Sequence, residues 1–179
     1  MKVVFIESHG TGKTTLCREM RKLDNSYKAN DGVSRPVKKC KDRIGLSSKD
    51  EQVIINELTF FNWEFYKTVD NIFLTRSPLD CEVYSRVFGW EDLAEECENR
   101  ICEIDLFNTE DVIWVYLPIE FKLDNDGVRF MDEELQKSID KEFKRLIKKY
   151  NINVFKVHGS VEKRVEQLKQ IINNYEQGY

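Results

Sequence analysis

Val3-Val4-Phe5-Ile6-Glu7-Ser8-His9-Gly10-Thr11-Gly12-Lys13-Thr14-Thr15 runs from an apolar strand through a glycine-bearing turn into a helix-forming stretch. That order is the setting of a phosphate-binding loop. Gly10 and Gly12 let backbone N–H groups turn inward on a polyphosphate, Lys13 reaches its β and γ oxygens, and the Thr14 hydroxyl takes a place on Mg2+. The positive end of the helix that starts near Lys13 adds to the attraction. One position departs from G-x-x-x-x-G-K-[ST]: the first glycine is Glu7. A carboxylate beside a triphosphate is unfavourable unless it points away or touches the metal, and a side chain there narrows the backbone's choices.

The 179 residues suffice for one domain with a full core and are too few for two ordinary ones. A single domain over 1–179 is expected. With 41% apolar and 34% charged residues the composition is that of a soluble globular chain, and no apolar run approaches the ~20 residues of a membrane span. The N-terminus enters a strand with no signal-peptide core ahead of it, so a cytoplasmic location is expected. Cys17, Cys40, Cys81, Cys97 and Cys102 form no C-x-x-C pair and have no histidines at zinc spacing, which suggests reduced thiols. A net charge of −4 gives no global field for nucleic acid. Arg35, Lys38, Lys39, Lys41 and Arg43 are a local exception, either a phosphate-facing surface or a solvated loop.

Apolar runs and turn residues predict strands at Lys2–Ile6, Tyr27–Ala29, Asn71–Thr75, Asp111–Leu117 and Ile152–Val157. Helices are predicted over Thr14–Leu23, from Asp50 to about Val69, over Leu79–Phe88, about 91–107, Met131–Tyr150 and Val161–Asn174. In the second of these, Val53, Ile54, Leu58, Phe61, Phe65 and Val69 recur at three and four, which reads as the core-facing stripe. Residues 33–49 carry Pro36 and Gly45 without clear periodicity and read as a loop with partial helix. Alternating strands and helices with right-handed crossovers give a parallel sheet covered on both faces, with ligands beyond the carboxyl ends of its strands.

That edge collects the candidate chemistry. Asp31, after strand two, accepts a hydroxyl proton, or holds Mg2+ through water, or is an ordinary Asp-Gly turn. Arg76 directly follows a buried strand, where a guanidinium calls for an anionic partner; a phosphate contact is preferred over a structural ion pair. Asp80 pairs with Arg76, orients metal-bound water, or stabilises the first turn of its helix. Arg129, in the excursion over 119–130 with Asn125-Asp126-Gly127, is either a surface residue or one that closure brings onto the phosphates. His158-Gly159-Ser160 either packs on a nucleotide base or is a tight turn before a helix cap. Phe60, Phe61, Trp63, Phe65 and Tyr66 read as core, with one or two able to stack on an acceptor base.

With these residues in place the chain resembles the small P-loop kinases of nucleosides and nucleotides. More narrowly, it is similar to the ATP-binding, AAA-like proteins common in bacteriophages and related to nicotinamide riboside kinase domains. The likeness rests on Gly10-Thr11-Gly12-Lys13-Thr14-Thr15, Gly32-Val33-Ser34-Arg35, Gln52, Arg76-Ser77-Pro78-Leu79-Asp80 followed by Tyr84, Asp126-Gly127-Val128-Arg129, and Gly159-Ser160. It implies an α/β three-layer fold with a five-stranded parallel sheet flanked by helices and a lid insert after strand four. It implies ATP and Mg2+, with transfer of the γ-phosphoryl group to a nucleoside or nucleoside monophosphate. Two alternatives stand beside that activity: a kinase of nucleic-acid ends or modified bases in DNA, and a non-catalytic nucleotide-sensing or partner-binding protein.

The resemblance assigns ATP binding to Ser8, His9, Gly10, Thr11, Gly12, Lys13, Thr14, Thr15, Gly159 and Ser160. Catalysis falls to Lys13, Asp31, Arg76 and Arg129, acceptor binding to Arg35, Arg76 and Asp80, and the metal to Thr14 and Asp31. The acid that precedes the arginine in those kinases is Thr75 here. Oligomeric state is left open, a homodimer among the options. No membrane partner is expected, and the compartment is the host cytoplasm if the chain is phage-encoded.

Overall fold

The structure, a computed structural model, describes residues 1–30, 32–109, 111–121 and 132–178, without the side chains of 42–44. Five strands, β1 (Lys2–Ile6), β2 (Lys28–Asn30), β3 (Ile72–Leu74), β4 (Val112–Tyr116) and β5 (Val154–Lys156), form one sheet in the order β2-β3-β1-β4-β5. Every pairing is parallel: Val3 lies opposite Phe73 and Ile113, and Val4 opposite Leu74 and Trp114. All five residues of β1 are buried, as a central strand covered on both faces requires.

Alternation along the strands divides the core in two. Val3, Phe5, Phe73, Ile113 and Val115 face α1 (Lys13–Leu23) and α7 (Val161–Glu176), packing on Leu16, Met20, Leu168 and Ile172. Val4, Ile6, Leu74, Trp114 and Tyr116 face the opposite layer. That layer holds α3 (Ser48–Tyr66), α4 (Pro78–Val87), α5 (Glu91–Glu103) and α6 (Glu133–Lys149), with Phe60, Leu79, Ile101 and Phe143 against the sheet. The expected three-layer α/β architecture with a five-stranded parallel sheet is therefore present. Residues 122–131, most of the expected lid insert and Arg129 with it, lie outside the described residues, as does Asp31.

Three readings need correction. Ser34–Ile44, expected as a loop with partial helix, is helical throughout, α2. Pro36 sits in its first turn, where the missing N–H has no intrahelical partner to lose, and Gly45 closes the helix at φ 67°. The helix expected to reach residue 107 stops at Glu103; Asp105 turns left-handed (φ 49°) and a 3-10 turn follows at Leu106–Asn108. The third correction bears on function. The face of α3 that meets the molecule carries Glu51, Gln52, Ile55, Asn56, Thr59, Phe60 and Trp63. Val53, Leu58, Phe61 and Phe65, expected in the core, are exposed.

Candidate active site

The loop after β1 begins with Glu7 and ends at Gly12, which stands at φ 94° at the head of α1. No side chain caps α1, so its first N–H groups stay open to an anion. Three groups hold the loop from outside. The Gln136 amide on α6 donates to the His9 carbonyl (2.7 Å), and the Ser8 hydroxyl donates back to the Gln136 carbonyl (2.9 Å). Arg164 on α7 donates through Nη1 to the Thr11 carbonyl. Loop carbonyls fixed outward in this way leave the loop's N–H groups for whatever sits inside.

Arg164 is 1% exposed. Its Nη2 is 2.6 Å from Glu120 Oε2, and its guanidinium lies 4.6 Å over the Phe121 ring. Glu120 also accepts the Gly159 N–H (2.7 Å), which joins the segments after β4 and β5 to the loop. Partial burial works against the Glu120 charge, yet Arg164 and that N–H hold its carboxyl below the usual range. Phe121 covers Gly12 so closely that a Cβ there would stand 3.3 Å from the ring. Ser160 caps α7 by accepting from the Lys163 N–H. The His158-Gly159-Ser160 turn is thus the entry to a helix, with Gly159 also tied to Glu120.

Glu7 is 3% exposed and both its oxygens are engaged, Oε1 with Lys13 Nζ at 2.7 Å and Oε2 with the Thr11 hydroxyl. Burial pushes its carboxyl above the usual value; Lys13 and Arg76 pull it back and Asp80 adds to the rise. A carboxyl protonated more readily in the folded than in the unfolded chain stabilises the fold below about pH 4.5. That contribution is lost as pH rises through the folded value. Glu7→Gln keeps the shape and an acceptor for Thr11 but carries no charge. Its stability relative to the natural chain should therefore increase with pH from 4.5 upward, read as the difference of two urea-unfolding series between pH 5 and 8.

On the other side of the sheet edge lies a cleft between α2, α3 and α4. One part is lined by Gly32, Val33, Asn62, Trp63 and Tyr66, the other by Ser34, Lys38, Gln52, Ile55 and Tyr84; Thr59 and Arg76 belong to both. Arg76 donates to Asp80 Oδ1 (2.8 Å) and lies 4.7 Å over the Tyr84 ring. Asp80 Oδ2 accepts the Ser77 N–H and hydroxyl, closing a capping box at the start of α4. Asp80 thus both caps its helix and orients Arg76. Gly32, at φ 72°, lets the chain pass so near Arg76 that a Cβ would fall 2.8 Å from its Cγ. Thr75 donates to the Asn30 carbonyl (2.5 Å), tying the ends of β3 and β2 together. Arg35 is exposed on the first turn of α2, with Lys38 one turn on at the cleft.

Gln52 in this cleft is held by its neighbour. Its Nε2 donates to Asn56 Oδ1 (2.7 Å), and Asn56 Nδ2 is directed at Ser85 Oγ and Cys97 Sγ. The Gln52 amide is left with its own oxygen and one N–H to offer. No group of three or more metal-binding side chains occurs among the described residues. Thr14 is exposed at the head of α1. A single hydroxyl fits a Mg2+ held mainly by phosphate oxygens and water, and is too little for an all-protein cage.

Sequence reading missed Gln136, Arg164, Glu120 and Phe121. For the first two a signal existed: Arg164 stands four residues before Leu168 and eight before Ile172, all buried, and Gln136 stands with Ile139 and Phe143 on the buried side of α6. A polar side chain in a core register needs a partner.

A pinned phosphate-type loop at the centre of a five-stranded parallel sheet defines the fold of the P-loop kinases. The chain belongs to the family whose model is described as an AAA domain and matches residues 2–164. Its structure is similar to deoxyadenosine kinase from M. mycoides with bound dATP, at 17% identity and a TM-score of 0.72, covering 97% of this chain and 99% of that one. It is also similar to thymidylate kinase from Candida albicans (15% identity, TM-score 0.65, 98% and 92%). A third likeness is to NadR protein in complex with NR (16% identity, TM-score 0.68), with 89% of this chain covering 46% of that one. No curated protein matches. Among the described residues no helix is long and apolar enough to cross a membrane.

Proposed function

We propose that the chain is a phosphotransferase that moves the γ-phosphoryl group of ATP to a nucleoside or nucleoside monophosphate. The observation that carries this is the placement of Glu7. One buried carboxylate pairs with Lys13 of the loop and feels the charges of both Arg76 and Asp80 at the cleft. The group that would hold the donor phosphates and the group that would meet the acceptor thus both act on the same buried carboxyl. The folds of deoxyadenosine and thymidylate kinases support the same reading.

In this account the loop N–H groups and the open head of α1 bind the α and β phosphates, with Gln136 and Arg164 keeping the loop in shape. Lys13 leaves Glu7 for the β and γ oxygens and offsets the charge that spreads over the moving group. The Thr14 hydroxyl would help hold Mg2+, which would supply positive charge against the phosphates of the donor. Arg76, held by Asp80 and Tyr84, presents its remaining N–H groups to the acceptor side of the transfer. The Gln52 amide, fixed by Asn56, offers one acceptor and one donor side by side, the complement of a nucleobase edge. Asp31 and Arg129 are the candidates for the base and for an arginine brought onto the phosphates by closure.

The test is a panel of nucleosides, nucleoside monophosphates, nicotinamide riboside and 5′-hydroxyl DNA offered with ATP and Mg2+. Phosphorylation of a free nucleoside or monophosphate is expected. Gln52→Ala should raise KM for that acceptor about 10- to 100-fold, the worth of two hydrogen bonds, and leave KM for ATP unchanged. Activity confined to DNA ends and falling steeply with salt would move the assignment to nucleic acid.

A further inference from the structure

One part of the cleft reaches the sheet itself. Its walls include Asn30 and Leu74, the last residues of β2 and β3, and Thr59, Asn62 and Trp63 of α3. Two of its polar side chains have partners within the molecule. The Thr59 hydroxyl donates to the Ile55 carbonyl (2.7 Å), and the Asn30 side-chain oxygen accepts the Gly32 N–H (2.8 Å). Two others have none. The Trp63 indole is 3% exposed and stacked on Trp114, with ring centroids 6.0 Å apart, yet its N–H is buried with no partner among the described residues. The Asn62 amide makes no hydrogen bond among them either. A buried donor that the fold leaves unpaired is uncommon and calls for a ligand atom.

The chemistry of the walls narrows that ligand. Tryptophan only donates, so the group facing it must offer a lone pair, whereas the Asn62 amide both gives and takes. Arg76 is the one charged side chain among the described residues that line this part, and Val33 and Leu74 present apolar surface. Neutral hydroxyls on a small ring meet all three conditions. Of two neighbouring hydroxyls, one accepts from the indole N–H and the other donates to the Asn62 oxygen.

Position points the same way. β3 lies between β2 and β1, and the loop after β1 would hold the donor. The part of the cleft at the strand ends is therefore the part nearer the moving phosphoryl group. In a nucleoside the sugar carries the 5′ oxygen that receives it. The base then extends along α3 toward Gln52, eleven residues before Trp63 and about 16 Å away along the helix axis.

We propose that this part of the cleft is the sugar subsite of the acceptor, in which Trp63 and Asn62 select ribose over 2′-deoxyribose; the inference rests on the phosphotransfer reading above. A 2′-deoxy sugar leaves one of the two side chains buried and unpaired, and a site built to pair a hydroxyl rejects the analogue that lacks it.

The test is calorimetric binding to the full chain of adenosine, guanosine, cytidine, uridine and their 5′-monophosphates, each beside its 2′-deoxy counterpart, with transfer from ATP to the same compounds measured separately. At least one ribose compound is expected to bind about tenfold or more tighter than its deoxy counterpart. Trp63→Phe keeps a ring on Trp114 and removes the N–H, so the ratio should fall toward one through loss of ribose binding. A packing defect would weaken both sugars alike. Asn62→Ala, at a half-buried position, should lower the ratio too and serves if Trp63→Phe does not fold. Equal affinity within every pair, binding of none, or a ratio that both variants leave unchanged overturns the proposal. Equal binding with transfer to both sugars discards the sugar subsite and keeps the kinase; ribose-selective binding without transfer does the reverse.

Discussion

Lys13→Ala should lower kcat for phosphoryl transfer by about 10²- to 10³-fold, the cost of removing one preorganised charge contact from a transition state. The ammonium follows Gly12 at the head of α1 and already lies inside the loop, on Glu7. The exchange of partners that the mechanism requires makes the experiment informative in a second way. Without Lys13, the buried Glu7 carboxylate keeps the Thr11 hydroxyl and the lesser pull of Arg76 but loses its directly paired cation, which destabilises the loop. The double variant Glu7→Gln, Lys13→Met removes both charges. It should recover folding stability over Lys13→Ala in urea titrations and recover none of the activity, so a lost fold and a lost catalytic charge are told apart.

Arg164→Met should cost about 1–3 kcal/mol of stability, the range for leaving a buried hydrogen-bond partner unsatisfied, since Glu120 is about a third exposed and regains water. The methionine fills much of the space on Phe121 but abandons Glu120 and leaves the Thr11 carbonyl without its donor. Part of the loss is returned, because Arg164 Nε is buried with no partner among the described residues and the substitution removes that orphan. The same change frees the phosphate loop to rotate its carbonyls inward. ATP affinity, measured by calorimetry at a temperature where the variant is still folded, should fall about tenfold or more. A variant that unfolds earlier but binds ATP as before would confine Arg164 to a packing role.

Much of the fold was legible because parallel strands buried on both faces are continuous apolar runs, and Val3–Ile6 and Val112–Tyr116 are such runs. The phosphate loop was legible because its glycines and lysine are local in sequence. What failed has physical causes. α2 was read as a loop with partial helix because Val37, Cys40 and Ile44, though spaced three and four, are few among charged residues and follow Pro36. In α3 the period was found and assigned to the wrong side, since periodicity reports a stripe and not the surface it meets. Gln136 and Arg164 act on residues 127 and 153 positions away, and only their polar character in a buried register signals it. Thr75, read as the loss of an acid, has a job of its own in joining β2 to β3.

The most direct test of the proposed activity is transfer of labelled γ-phosphoryl from ATP by the natural chain, with the product identified by mass. The account predicts label on a nucleoside or nucleoside monophosphate, formed only with Mg2+ present. ATP bound tightly and recovered intact with every acceptor in the panel would contradict it, and would leave a nucleotide-sensing protein in which Glu7 retains Lys13.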